Sequence, residues 1–432
     1  MDIYTMATNG FDAYAKIWQF DDFWTRANTF DACLRFIMAA QAKWPNDPKI
    51  RAMTKVAWHI SQANLKYFQR NLQQDMWADD YGWCGIASLS ARDYLLKLGD
   101  TQDADDYLNF ARTCWQKMYS IGYDSTTNAK PVPHGCANSS SSAGPGTKNT
   151  VTNANLLLLS VRLYNVMKSI DKTHATAYLE MAYWQYLWFN AWFTPPLTQY
   201  DYFRLPTSGG FTFGLVQERP IAPPDYENKD RPTWEPGWVW TGDQGLLLGA
   251  LVGILQITSD LNSWAKSSSP PINFDPVAFQ KNVNGWIKAI TMGVKQLLFG
   301  GMFNPTDKVL REAPFNSSFS DDPKDYVCGR GVLLRYLSEV KPLLGGINVN
   351  FNQNIVATAQ AVWNSRDTTS NQFGANWNPE NDSSFNANFI TVWGNGDKGV
   401  NWPYGTSEAP PVSAILQAVG LDVLGAAIPI VP

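Results

Sequence analysis

The chain has 432 residues, 45% hydrophobic and 17% charged, so it carries material for a large core and too little charge for global disorder. Its formal net charge of −4 excludes the basic excess on which phosphate-tracking nucleic-acid binders depend. Aromatic residues reach 14%, with 19 Trp, which serves either an aromatic-rich core or the stacking of flat indoles on the C–H faces of sugars.

The N-terminus, Met1-Asp2-Ile3-Tyr4-Thr5-Met6, lacks the basic and apolar regions of a secretory signal. That leaves a cytoplasmic chain or a mature one whose signal has been removed. Helical periodicity then runs near 8–19, 25–42, 49–73, 80–98, 102–120, 151–169, 173–192, 243–258, 276–298, 324–341, 351–364 and 407–421. Asn46-Asp47-Pro48 opens one helix with a cap and an early Pro, and Gly99 closes another. Strand signals are thin: short alternating runs such as 209–216 suggest a surface hairpin. The longest apolar run, 246–257, is short of the about 20 residues a membrane helix needs, so no span is expected.

Long segments rich in Pro, Gly, Ser and aromatics separate some helices, at 123–148, 194–241, 300–323 and 365–407. About twelve helices, alternating apolar and amphipathic, would close as six antiparallel pairs into an all-α (α/α)6 toroid over 1–432, a single domain with the long loops walling a cleft. An open solenoid is the competing arrangement.

The sharpest local feature is Trp77-Ala78-Asp79-Asp80-Tyr81-Gly82-Trp83-Cys84-Gly85, two adjacent carboxylates where a helix begins. Neighbours at a helix start diverge by about 100°. Their carboxyls can then lie about 5–6 Å apart, the spacing of a double-displacement glycosidase. One ionised carboxylate raises the other's pKa, separating a nucleophile from a proton donor. Acidic residues at helix starts are also ordinary caps, and on the residues alone both readings stay open.

Four segments in order resemble glycoside hydrolase family 76, the α-1,6-mannanase family of (α/α)6 toroids. Asp79-Asp80 followed by Trp83-Cys84-Gly85-Ile86-Ala87 is similar to its paired-aspartate helix start. Lys148-Asn149-Thr150-Val151-Thr152-Asn153 resembles its Lys-Asn…Asn helix opening. Trp240-Thr241-Gly242-Asp243-Gln244-Gly245 resembles its Tyr-Asn-Gln-Gly segment, with Asp243 in place of the usual Asn. Gly329-Arg330-Gly331-Val332-Leu333-Leu334-Arg335-Tyr336-Leu337 resembles its Gly-Ile/Val-x-x-Arg-Tyr helix.

The resemblance implies a secreted or cell-surface hydrolase of α-mannosidic, α-1,6, linkages in mannan-type polysaccharide, acting as a monomer without cofactor or metal. Asp79 would be its nucleophile and Asp80 its acid/base. Asn153, Asp243 and Gln244 would line the cleft, though each is also placed as a helix cap, while Gly245 suits close helix packing. Transglycosylation and non-catalytic glycan binding are the alternatives, with sugar isomerisation a weaker one.

Tyr81, Trp238 and Trp240 are candidate platforms for the polysaccharide or oligosaccharide partner, with Trp77 and Trp83 beside them; Trp377, Trp393, Trp402 and Tyr404 share a late loop. Of the 3 His, His134 lies on a long loop before a motif segment and is a subsite candidate, whereas His59 and His174 read as helix residues. So few His exclude a His-rich metal set, while calcium on loop carbonyls stays open. Cys33, Cys84, Cys114, Cys136 and Cys328 form no CxxC pair and read as small buried hydrophobes.

Overall fold

A computed structural model describes residues 2–125, 133–143, 146–193, 203–204, 214–218, 239–299, 308–312, 327–340, 342–343, 349–375, 377 and 412–432. Six helices form an inner ring: α2 (Phe23–Lys43), α4 (Ala78–Leu98), α6 (Thr150–Met167), α8 (Thr241–Gln256), α11 (Gly329–Val340) and α13 (Val412–Ala427). Each packs on the next, and α13 returns to α2, so the ring is closed. Outside it lie α1 (Ile3–Ile17) and α12 (Asn352–Asn364) on α13, α3 (Pro48–Asn71) on α2, α5 (Thr101–Ile121) on α4, α7 (Lys172–Phe193) on α6 and α10 (Pro276–Gly293) on α8. This is the (α/α)6 toroid; the closing contacts exclude the open solenoid.

The alternation seen in the sequence has a packing cause. An inner helix touches two ring neighbours and an outer partner and so buries most of its sides; where it carries no ion pairs it is apolar all round, as in the Leu246-Leu247-Leu248 stretch of α8. Outer helices face solvent on one side and keep a polar stripe. Side chains of Asp22, Asp47, Asp100, Asn149 and Asp275 cap the helices that follow them.

One helix was not foreseen: α9 (Thr258–Ser267) bends away after Ile257 and fills the space between α7, α8 and α10. The stretch expected as helix over 276–298 is α-helical to Gly293 and ends in a π-turn, Val294–Leu298. Of the hairpin expected over 209–216, the described residues include β2 (Leu215–Val216), which pairs antiparallel with β1 (Phe203–Arg204), upstream of the expected bounds. No single helix among the described residues is long and apolar enough to cross a membrane. All five cysteines are buried and free.

Where the ring closes, an ion cluster ties α11 to α13 and to α2. Arg335 of α11 donates to Asp422 of α13 at 2.7 and 3.0 Å and to Asp31 of α2 at 3.0 Å, all with side chains about 2% exposed. Arg35 joins the cluster through Asp31 at 3.1 Å and Glu339 at 2.6 Å. Burial raises both buried acids, but Asp31 faces two guanidiniums and is held at about 2, whereas Asp422 is bonded to Arg335 alone and stays at about 6.

Candidate active site

The first turns of α4, α6, α8 and α11 are tied to one another through short loops, which places these inner-helix N-termini at one mouth of the toroid. Ala78 donates its backbone N–H to Ser139 O, and Asp79 to Asn138 Oδ1, on the loop that leads into α6. Thr150 of α6 donates to Glu218 O, just past β2. Backbone N–H groups left over at such helix starts favour negative charge.

Asp79 and Asp80 stand at this mouth in the first turn of α4, both half-buried. Trp77 before them is extended (φ −73°, ψ 157°), which lets Asp80 Oδ2 reach back to accept the Trp77 N–H at 3.1 Å. Asp79 Oδ1 accepts the Asp80 N–H at 3.0 Å. Each carboxylate thus holds a backbone donor at the positive end of the helix, and neither is sealed in packing. Trp77 is 43% exposed beside them and is the one described aromatic of the segment with a face open to solvent.

The other aromatics lie deeper. Trp83 (3% exposed) sits one turn further along α4 and meets Trp240 (7%) edge to face at 6.4 Å. Tyr81 is not a platform: it is 2% exposed, packs on Phe23 and donates its hydroxyl to Gln74 O at 3.0 Å. His134 also departs from its expected role. Its backbone is left-handed (φ +65°), its Nδ1 pairs with the Tyr123 hydroxyl at 2.9 Å, and its ring stacks 4.4 Å from Trp184 of outer helix α7. Burial, then nearby Lys148, pushes its pKa down. His134 therefore builds the wall. Trp238, Trp393, Trp402 and Tyr404 lie outside the described residues; Trp377 is buried against Arg330.

Asn153 and Gln244 lie deeper than the mouth. Both are fully buried, and their amides are used by loop backbone. Asn153 accepts the Cys136 N–H (2.7 Å) and donates to Cys136 O (2.9 Å). Gln244 does the same to Val216, at 2.9 Å each way. Gln417 of α13 repeats the device, accepting the Phe373 N–H at 2.9 Å and donating to Gly10 O at 2.8 Å. An amide, with one acceptor and two donors, fits a peptide group as another peptide would. These residues register the walls of the mouth on the ring. Asp243 is fully buried in the first turn of α8, beneath the mouth. Gly245 lets α8 close on α11, since a Cβ there would lie 2.4 Å from Leu333 Cα.

Gln244→Met should orphan the buried N–H and C=O of Val216, costing roughly 1–3 kcal/mol for each group. Denaturant midpoints measure this, and a change under about 0.5 kcal/mol would contradict the clamp.

Glu312 stands in a stretch without periodicity, where no local pattern marks it. Its fully buried carboxylate accepts the N–H of Thr241 (3.3 Å) and of Arg330 (3.1 Å), at the starts of α8 and α11. Burial is the largest influence on it and leaves it titrating at about 7, against the pull of Arg330. Among the described residues no three His, Cys, Asp or Glu side chains group as metal ligands.

No family model matches the chain, and no curated protein matches it in sequence. Solved structures do match in three dimensions. The GH76A α-1,6-mannanase from Salegentibacter sp. HEL1_6 superposes with a TM-score of 0.59 at 17% identity, over 99% of this chain and 100% of that one. An inactive variant of that enzyme, with two consecutive aspartates replaced by alanine and α-1,6-mannotetrose bound, gives 0.59 at 16%, over 100% of both chains. Dfg5 from Chaetomium thermophilum, in complex with glucosamine, gives 0.55 at 12%, over 94% of this chain and 80% of that one. The chain therefore has the toroid fold of the GH76 structures.

Proposed function

We propose that this chain is a glycoside hydrolase of family 76 that cleaves α-1,6-mannosidic linkages in mannan-type polysaccharide with retention of configuration. The observation that carries the reading is the half-buried Asp79-Asp80 pair at the start of inner helix α4, beside exposed Trp77. It is supported by the shared fold of an α-1,6-mannanase whose variant lacking two consecutive aspartates is inactive.

In this reading Asp79, kept ionised by the Asp80 N–H and the positive end of α4, attacks the anomeric carbon. Asp80 gives its proton to the departing glycosidic oxygen. The products of this step are a mannosyl ester on Asp79 and a free hydroxyl on the leaving sugar. Asp80, now ionised, takes a proton from water as the water oxygen attacks the same carbon and Asp79 leaves. Trp77 offers a face on which a pyranose ring can stack. A polysaccharide substrate of this kind places the protein outside the cell or on its surface.

The test is a panel of α-1,6-, α-1,2- and α-1,3-mannans and α-glucans with product sizing. The expected result is shortened oligosaccharides from α-1,6-mannan, with no lengthened products when mannose or glucosamine acceptors are in excess. Lengthened products would make the chain a transglycosylase, and binding without turnover a glycan-binding protein.

A further inference from the structure

We infer that Glu312 is a positioning residue of the cleft, a single carboxylate that joins the N-termini of two adjacent inner helices and so sets Trp240 against Trp83 below the aspartate pair. The inference rests on the hydrolase reading above and adds to it a residue outside its machinery.

The geometry is specific. Glu312 Oε1 accepts from the first residue of α8, Thr241, and Oε2 from the second residue of α11, Arg330. Two helix starts whose N–H groups and dipoles would otherwise be neutralised separately share one anion. Between them sits Gly329, where a Cβ would come 2.5 Å from Glu312 Oε1, 2.7 Å from Trp240 Nε1 and 3.0 Å from Gly242 N. No side chain fits there while the three elements keep these places. Trp240 is closed over Gly242 and meets Trp83 edge to face at 6.4 Å. Trp83 follows Asp79 by four residues and Asp80 by three, on the same side of α4. Beyond Glu312, Arg330 lies 3.5 Å over Trp377 and donates to Ala375 O at 2.7 Å, which extends the tie toward α13's clamped loop.

Two separate neutral caps would satisfy these N–H groups without a buried charge. The carboxylate instead couples α8 to α11, because its two oxygens are held at a fixed separation. The charged group that faces it is Arg330 from α11, at 3.9 Å. Its protonation near neutrality weakens one of the two acceptors.

Glu312→Gln keeps the shape and one acceptor but turns an amide NH2 toward the second N–H. The expected result with α-1,6-mannotetraose is a fall in kcat/KM of about a hundredfold, carried mainly by KM. The wild type should show an inflection in kcat/KM near pH 7 that the variant lacks. Hydrogen exchange should quicken in segments 239–246 and 327–333. Values of kcat and KM within twofold of wild type, with the same pH profile, would overturn the inference.

Thr241→Pro is the second variant, for the case that Glu312→Gln does not fold. It deletes the N–H given to Oε1 together with the Thr241 hydroxyl that also bonds Glu312, at a first helical position where Pro is well placed and after an extended Trp240 (φ −102°, ψ 133°). The same KM effect is expected, and its absence overturns the inference. If the wild type cleaves no mannan, the hydrolase reading falls. Exchange then decides the clamp alone, and unchanged exchange at both segments overturns it.

Discussion

Asp79→Asn and Asp80→Asn should each lower kcat on α-1,6-mannan by about a thousandfold or more, with the melting temperature nearly unchanged. The two effects separate because the side chains are half-buried and their structural duties survive the change. In Asp80→Asn an amide oxygen can still accept the Trp77 N–H, and in Asp79→Asn one can still accept the Asp80 N–H. A lost cap would cost about 1 kcal/mol, small beside the loss of a nucleophile or proton donor. Asp79→Asn has no nucleophile, so it should form no mannosyl ester. Asp80→Asn should keep more activity on substrates whose leaving group needs no proton, such as aryl mannosides, than on mannan. Initial rates and thermal unfolding on the same preparations check this. An unaltered rate in either variant would remove the mechanism.

The largest stability effect is expected at Arg335. Arg335→Met leaves Asp31 and Asp422 buried without the cation between them, a loss of about 3–5 kcal/mol by comparison with other broken buried pairs. The pH dependence follows from the two acids. Asp31 is held at about 2, below its ordinary value, so its contribution is present above the usual carboxylate range and is lost as pH falls toward 2. Asp422 is raised to about 6, so its contribution is present below that range and is lost as pH rises through 6. Without Arg335, Asp422 loses the cation it is bonded to while Asp31 keeps Arg35 at 3.1 Å, so protonation of Asp422 should make the variant's deficit shrink as pH falls from 7 to 5. Guanidinium unfolding at the two pH values measures it; a deficit that is equal at both, or below about 1 kcal/mol, would contradict the cluster's role. Replacing Asp31, Arg335 and Asp422 together by apolar residues of similar volume should be far milder, because no buried acid is then stranded and Arg35 keeps Glu339 at 2.6 Å.

The toroid was legible because its two helix types differ in what they touch, and that difference is written in their polarity. α8 and α13 read as apolar all round, and α3 and α5 as amphipathic. α9 was hidden because Ile257-Thr258 carries no Gly or Pro to mark the bend. The aspartate pair was legible for the same local reason that forms it, a polar helix start between aromatics. What spacing could not convey is direction. Asn153 and Gln244 sit at helix starts as expected, but nothing in a single chain tells whether an amide turns to a ligand or to a loop from elsewhere in the fold. Tyr81 and Trp77, four residues apart, looked alike as platforms; one is locked by Phe23 and Gln74, the other open. Glu312 belongs to the same class of omission, since its partners Thr241 and Arg330 lie 71 and 18 residues away.

The stereochemical course of cleavage tests the central claim most directly. Proton NMR of α-1,6-mannotetraose during the first minutes of reaction should show the α-anomer of the newly released reducing end first, with the β-anomer growing only at the rate of mutarotation. A first-formed β-anomer, or unchanged substrate under conditions that saturate the site, would contradict two neighbouring aspartates working by double displacement.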